Sequence, residues 1–366
     1  MKLPRPHADS PYMEFAKLDS STKFNLATSG VMSYPLAGLD FSVSDLEING
    51  PTLYGYPPLL EAIGNMKGVP AECIVHALGT SMANHLAMSA LFAPGDEVLI
   101  EEPAYELMLN AILYLGAKVR RFQRRAEDNF ALNPEEVKRN LTPDTRLIVI
   151  TNMHNPSSTL ANQEVLRTIG DMANEIGARV LVDEVYLEAL HHPPVPTSFH
   201  LGNQFVVTSS LTKAYGLSGL RCGWIIAEPA LAERIWRLND LFGSSPVHIA
   251  ELLSVIAIQQ LAKIAERADT IIETNRKSLT ETLSGHPAID LTIPPVGTTA
   301  FPRLRKGDVQ SFYKFLREKY DTSVVPGIHF ERPQHFRIGI AGDVAMTREG
   351  LNRLAAALTE WESKSA

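Results

Sequence analysis

Ser210-Leu211-Thr212-Lys213-Ala214-Tyr215-Gly216-Leu217-Ser218-Gly219-Leu220-Arg221-Cys222-Gly223 packs one lysine, three aliphatic hydroxyls, three glycines and one arginine into a short segment. Just before it, Gln204-Phe205-Val206-Val207-Thr208-Ser209 is β-branched and aromatic, and reads as a buried strand ended by small polar residues. Just after it, Trp224-Ile225-Ile226-Ala227 reads as another. Lys213 therefore sits on a glycine-studded connection between two core strands, where α/β proteins place chemistry. A lysine partly desolvated there has a lowered ammonium pKa and offers its amine to a carbonyl. Ser210 and Arg221 flank it and together suit a phosphate, with one hydroxyl donor and one bidentate guanidinium.

A carbonyl and a phosphate on one molecule point to pyridoxal phosphate. The segment resembles the Schiff-base lysine motif of the class I/II aminotransferases, the fold-type I pyridoxal-phosphate enzymes. Taken alone it also describes a surface lysine on a glycine-rich loop, so the rest of the chain decides.

Ile74-Val75-His76-Ala77-Leu78 reads as a strand, and Gly79-Thr80-Ser81 turns it into an apolar helix from Met82 to Leu91. Unpaired N–H groups and the helix dipole make such a turn an anion site. The resemblance implies that Thr80 and Ser81 hold the cofactor phosphate. Pro103-Ala104-Tyr105 matches the family's Pro-x-Tyr, whose aromatic stacks on the pyridine ring. The strand Arg146 to Ile150 ends in Asn152-Met153-His154-Asn155-Pro156, similar to the family's Asn-x-x-Asn-Pro, in which Asn155 would donate to the cofactor 3′-oxygen. Ser158 stands where relatives usually carry glycine.

The strand Arg179 to Val182 ends in Asp183-Glu184-Val185-Tyr186. The resemblance gives Asp183 to the pyridine nitrogen, where a carboxylate keeps the ring protonated and electron-accepting, and Tyr186 to the 3′-oxygen. Near the C-terminus, Val325-Pro326-Gly327 and Phe336-Arg337-Ile338 match the family pattern, which implies that Arg337 clamps the substrate α-carboxylate. Gly30, in the loop Asn25 to Val31, falls where the family lines that carboxylate. Tyr54, ahead of a helix at Leu59 to Ile63, falls where the family's tyrosine reaches the partner subunit's phosphate; Tyr56 is the other candidate for that place.

The 366 residues, 45% hydrophobic and 20% charged, describe an ordinary globular chain of about two domains. A net charge of -7 offers no basic patch for nucleic acid or an anionic membrane. Cys73 and Cys222 form neither a CxxC nor a disulfide framework, and the N-terminus has no apolar h-region; a cytoplasmic protein is the expectation. His76 and His85 read as packing residues, and His154 as a partner of nearby backbone. His191-His192 reads as solvent-facing, and no metal site is expected.

The resemblance spans roughly residues 25 to 345 in family order. It implies a fold-type I PLP-transferase-like α/β fold: a large domain with a seven-stranded, mostly parallel sheet and a smaller α/β C-terminal domain. The expected boundaries are 1–45 for an N-terminal segment packing with the small domain and 46–240 for the large domain. Residues 241–366 are expected to form an interdomain helix and the small domain. The implied reaction moves an amino group between an amino acid and a 2-keto acid through a Lys213 Schiff base, in a homodimer with shared active sites. A lyase acting at carbon–sulfur bonds, a decarboxylase or a cyclising synthase would use nearly the same cofactor residues. A non-catalytic regulator would need a DNA-binding module, and no basic helix-turn-helix is visible. Arg5, Arg303 and Arg305 are candidates for a second arginine that would take an acidic substrate.

Overall fold

Apolar, β-branched runs too short for helices supply the centre of the molecule, and their alternation decides which face each side chain joins. The protein is described from a computed structural model that covers residues 6–50, 53–189 and 194–364. The His191-His192 pair and Arg5 lie outside the described residues.

Helix α1 (Pro11–Glu14) begins where the sequence Ser10-Pro11 supplies a cap, with the Ser10 hydroxyl accepting from the Met13 N–H and proline at its first position. A two-residue strand β1 (Phe24–Asn25) and helix α2 (Pro57–Lys67) follow. The central sheet is built from β2 (Ile74–Leu78), β3 (Glu97–Glu102), β4 (Lys118–Gln123), β5 (Thr145–Thr151), β6 (Arg179–Asp183), β7 (Phe205–Ser210) and β8 (Cys222–Ile226). Helices α3 (Gly79–Leu91), α4 (Glu106–Tyr114), α5 (Pro134–Asn140) and α6 (Gln163–Glu175) connect them.

The seven strands run in the order β2-β8-β7-β6-β5-β3-β4. Only β8 is antiparallel to its neighbours, β2 and β7. Hence β2, β5, β6 and β7 all finish at one edge, and that edge is where open α/β sheets bind ligands. Alternate residues feed opposite faces. Leu147, Val149 and Leu181 pack with α3 and α4, whereas Ile148, Ile150, Val180 and Val182 pack with α5 and α6.

Beyond β8 lie α7 (Pro229–Asn239), α8 (His248–Gln259) and the 23-residue α9 (Leu261–Leu283). Leu231, Ile235 and Leu238 in α7, then Leu252 and Ile256 in α8, recur at helical spacing. The C-terminal part contains short strands β9 (Ile289–Asp290), β10 (Thr299–Ala300), β11 (Arg303–Leu304), β12 (Thr322–Ser323), β13 (Val325–Pro326) and β14 (Phe336–Gly339), with helices α10 (Val309–Tyr320) and α11 (Val344–Lys364). The run Leu291 to Pro294, which reads as a strand, is irregular; only Ile289 and Asp290 pair, with Leu304 and Arg303. Pro294 and Pro295 remove the ladder donors that would extend it.

β1 pairs in parallel with β12, and Tyr12, Phe15 and Leu26 share a core with Phe312, Phe336 and Leu351. The chain's first residues are thus built into its last. Among the described residues no single helix is long and apolar enough to cross a membrane.

Candidate active site

Lys213 follows β7 by three residues, and its connection to β8 is pinned at both ends. Leu211 N–H donates to the Cys222 carbonyl, and Val31 N–H donates to the Lys213 carbonyl at 2.7 Å. A Cβ on Gly30 would lie 3.3 Å from Lys213 Cδ, so the loop carrying Gly30 presses against the lysine stem. The Lys213 Nζ donates to Ser29 Oγ at 3.2 Å, and the Tyr186 hydroxyl donates to the same oxygen at 2.7 Å. Ser29 therefore joins the lysine and the tyrosine, a role that nothing in its local sequence marks.

Lys213 lines a cavity of about 180 Å3 together with Thr80, Ser81, Tyr105, Asn155, Asp183, Tyr186 and Arg221. The sheet edge collects them: Thr80 and Ser81 from the start of α3, Asn155 from the loop after β5, Asp183 from the end of β6. Ser210 is fully buried, and its hydroxyl accepts from Thr80 Oγ1 at 2.8 Å, closing the floor below the α3 turn. A second cleft of about 610 Å3, between α4 and residues 7–10, shares Ser81, Asn84 and Tyr105 with this cavity.

Asp183 sits 4% exposed at the end of β6. Its Oδ2 accepts from Asn84 Nδ2 at 2.8 Å and its Oδ1 from the Val185 N–H at 3.0 Å. Burial pushes its carboxyl up to about 6, against the two hydrogen bonds that pull it down. A cation beside it would favour the ionised form again, which is what a protonated pyridine nitrogen provides. Asn84 is itself held by the Thr208 hydroxyl. It lies one turn beyond Thr80 on α3, on the same face, and is a polar interruption of an apolar helix. That spacing is the signal by which it could have been found.

The α3 turn fits a phosphate. Gly79 has φ +76°, which favours glycine, and a Cβ there would lie 2.3 Å from Arg221 Nη2 and push the guanidinium aside. Arg221 adopts a left-handed backbone (φ 49°) and donates Nη2 to the Leu78 carbonyl at 3.2 Å. Thr212 Oγ1, buried at the cavity wall, has no partner among the described residues. A free hydroxyl, helix N–H groups and a guanidinium converge where an anion would sit.

Tyr105 caps the start of α4, and burial pushes its phenol well above the ordinary value. Arg337, on β14, is fully buried; its Nη1 donates to Asn155 Oδ1 at 2.9 Å. Its Nη2 donates to Tyr12 Oη at 2.9 Å and to the Ala27 carbonyl at 3.1 Å. Nothing in the local sequence around Tyr12 marks it as a partner of Arg337. Burial raises its phenol pKa, but the Arg337 and Lys213 charges prevail and lower it.

Ser158 holds φ 61°, a left-handed backbone that favours glycine, and its hydroxyl is tied to Thr299 Oγ1 at 2.9 Å. His154 binds the Pro103 carbonyl through Nε2, as a backbone partner rather than a cavity group. Arg303 and Arg305 both turn to Asp290, outside the cavity. Tyr54 is 44% exposed, bonded to Asp240 and away from this chain's own cavity.

Comparison with known proteins gives the family. The family model for aminotransferase class I and II matches residues 49–358. The capreomycidine synthase of Streptomyces vinaceus is 30% identical, covering 92% of this chain and 89% of that protein. An aspartate aminotransferase of Pyrococcus horikoshii is 25% identical over 83% of this chain and 81% of its own length. The solved PLP-dependent aminotransferase of Streptococcus suis superposes with a TM-score of 0.90 at 26% identity, over 98% of this chain and 99% of that one. With the family model spanning most of the sequence and the lysine set in a matching fold, the chain belongs to the class I and II aminotransferases, fold-type I enzymes that work with pyridoxal 5′-phosphate.

Proposed function

We propose that the protein transfers an amino group from an amino acid to a 2-keto acid, with Lys213 as the catalytic residue. The observation that carries this reading is that Lys213, from beyond β7, shares one cavity with Asn155, from beyond β5, and with Asp183 and Tyr186, from the end of β6 and the turn after it. Thr80, Ser81, Ser210 and Arg221 would hold the cofactor phosphate, Tyr105 would cover the ring, and Asp183 would pair with its nitrogen. Bound there, pyridoxal phosphate supplies an electron sink for the charge left when substrate Cα loses its proton. Lys213 would hold the cofactor through its amine, and the same amine is placed to carry the proton to and from substrate Cα. Tyr186 and Asn155 steady the 3′-oxygen. Arg337 and the Gly30 loop orient the substrate carboxylate, so the Cα–H bond is aimed at Lys213.

A homodimer with shared sites completes this reading. Tyr54 leans on Trp236, close in sequence to the exposed apolar residues Leu53 (86%) and, beyond Asp240, Leu241 (78%). Such a surface supports burial against a second copy, from which Tyr54 would reach the phosphate. The working division is a large domain over 46–240 and a small one over 241–366 joined by 1–45, in a cytoplasmic enzyme.

A cyclising synthase is the second reading, favoured by the 30% identity to capreomycidine synthase across 92% of the chain. The two separate on one assay. Transamination needs a keto acid for continued turnover and is lost in Lys213→Ala; a synthase or lyase releases product with no keto acid added.

A further inference from the structure

Arg337 has more constraint on it than a carboxylate clamp requires. A guanidinium grips a carboxylate in parallel along one of two edges, Nη1 with Nη2 or Nε with Nη2. Both edges include Nη2, which carries two hydrogens. One goes to Tyr12 Oη at 2.9 Å and the other to the Ala27 carbonyl at 3.1 Å. Nε, by contrast, is buried with no partner among the described residues. The side edge is therefore half open, and its other half is closed by whichever acceptor sits on Nη2.

The two acceptors differ in how freely they move. Ala27 lies in main chain held on both sides: Leu26 N–H donates to the Ser323 carbonyl, and Gly339 N–H donates to the Leu26 carbonyl at 2.7 Å. Tyr12 Oη ends a rotatable side chain on α1. The main chain of α1 is latched separately, since Glu106 Oε2 accepts from the Tyr12 N–H at 2.6 Å and from Ser10 Oγ at 3.2 Å. The next residue, Met13, lines the Lys213 cavity, so α1 is a wall of the site.

We propose that Tyr12 is a specificity residue of this site: its phenol occupies the Arg337 nitrogen that an α-carboxylate must take, and the carboxylate binds by exchanging for it. The proposal rests on the reading of Arg337 as the carboxylate clamp. A carboxylate, charged and bidentate, outcompetes a single phenol oxygen. A neutral group of the same shape does not, and so meets a closed clamp.

The test uses the full chain loaded with pyridoxal phosphate, with sodium propionate and neutral propionamide as calorimetric probes. Tyr12→Phe keeps the ring against Tyr105 and Phe330 but removes the oxygen. Propionate is expected to bind the variant more tightly by roughly tenfold or more, the worth of one lost competing hydrogen bond to a charged group, with propionamide unchanged. A structural lesion would weaken binding instead. Equal or weaker propionate binding by Tyr12→Phe, while Arg337→Met abolishes it, overturns the exchange and leaves the clamp standing. Propionate binding that ignores Arg337→Met overturns the clamp reading, and this proposal with it.

Discussion

Arg337 Nη1 donates to Asn155 Oδ1 at 2.9 Å, so a guanidinium from the C-terminal strand β14 is steadied by an amide from the loop after β5. Both side chains are buried, Arg337 completely. A buried charge holds one orientation only while its N–H groups have acceptors. Asn155 also lines the Lys213 cavity, so in the proposed function a single amide would couple cofactor binding to carboxylate binding.

Asn155→Ala should accordingly weaken carboxylate binding by roughly tenfold or more, since a hydrogen bond to a charged group is worth about 1.5–3 kcal/mol. Dissociation constants for propionate, compared at equal cofactor occupancy, check this. An unchanged constant would detach Asn155 from the clamp.

Gly79→Ala places a methyl group 2.3 Å from Arg221 Nη2 at a φ of +76°. Backbone strain alone should cost about 1–2 kcal/mol, and Arg221 must also move. Thermal unfolding with and without pyridoxal phosphate should show a lower midpoint and a smaller cofactor-induced rise. A lower midpoint with the full rise would mean that the turn is structural and does not serve the phosphate.

Asp183 sets a pH dependence. Its carboxyl stands near 6 in the folded chain, above the ordinary value of about 4, because burial penalises the ionised form. The folded state then holds more protons than the unfolded state between these values, so stability falls as pH rises through that window. The cofactor-free protein should lose this contribution by pH 7, and Asp183→Asn should flatten that part of the profile. Bound pyridoxal phosphate, by pairing the ionised carboxylate, should raise the unfolding midpoint more at pH 8 than at pH 5. Equal rises at both would argue against Asp183 facing the ring nitrogen.

Tyr54→Phe should weaken cofactor retention by roughly fivefold through loss of one hydrogen bond, although Tyr54 bonds Asp240 and stands outside its own chain's cavity. Dialysis of the loaded protein, run beside sedimentation to fix its oligomeric state, measures it. Unaltered retention in an intact dimer would pass the role to Tyr56 or remove it.

The sequence was legible where one strand end carries one chemical group. Asp183, Lys213 and the α3 turn stand at the ends of β-branched runs, so periodicity marks them as strand-end groups, and the order of the family's motifs groups them in one site. It was blind where two distant segments meet. Ser29 matters because Lys213 and Tyr186 both reach it, and Tyr12 because β14 brings Arg337 under it; neither neighbour is predictable from local spacing. Strand β4 was hidden for another reason. Lys118, Arg120 and Arg121 charge an edge strand that pairs only with β3, so its apolar alternation is weak. Ser158 is the reverse case: the unusual residue was visible, while the Thr299 contact that steadies its left-handed backbone was not.

The most direct measurement is the visible spectrum of the purified protein with pyridoxal phosphate, wild type beside Lys213→Ala, during titration with a panel of amino acids and no keto acid. The wild type should show a cofactor band that depends on Lys213, and an amino-acid donor should convert it to the pyridoxamine form. Restoration by a 2-keto acid should follow. A band that persists in Lys213→Ala, with ordinary multiple turnover, would contradict the assignment of Lys213 as the residue on which the site is built.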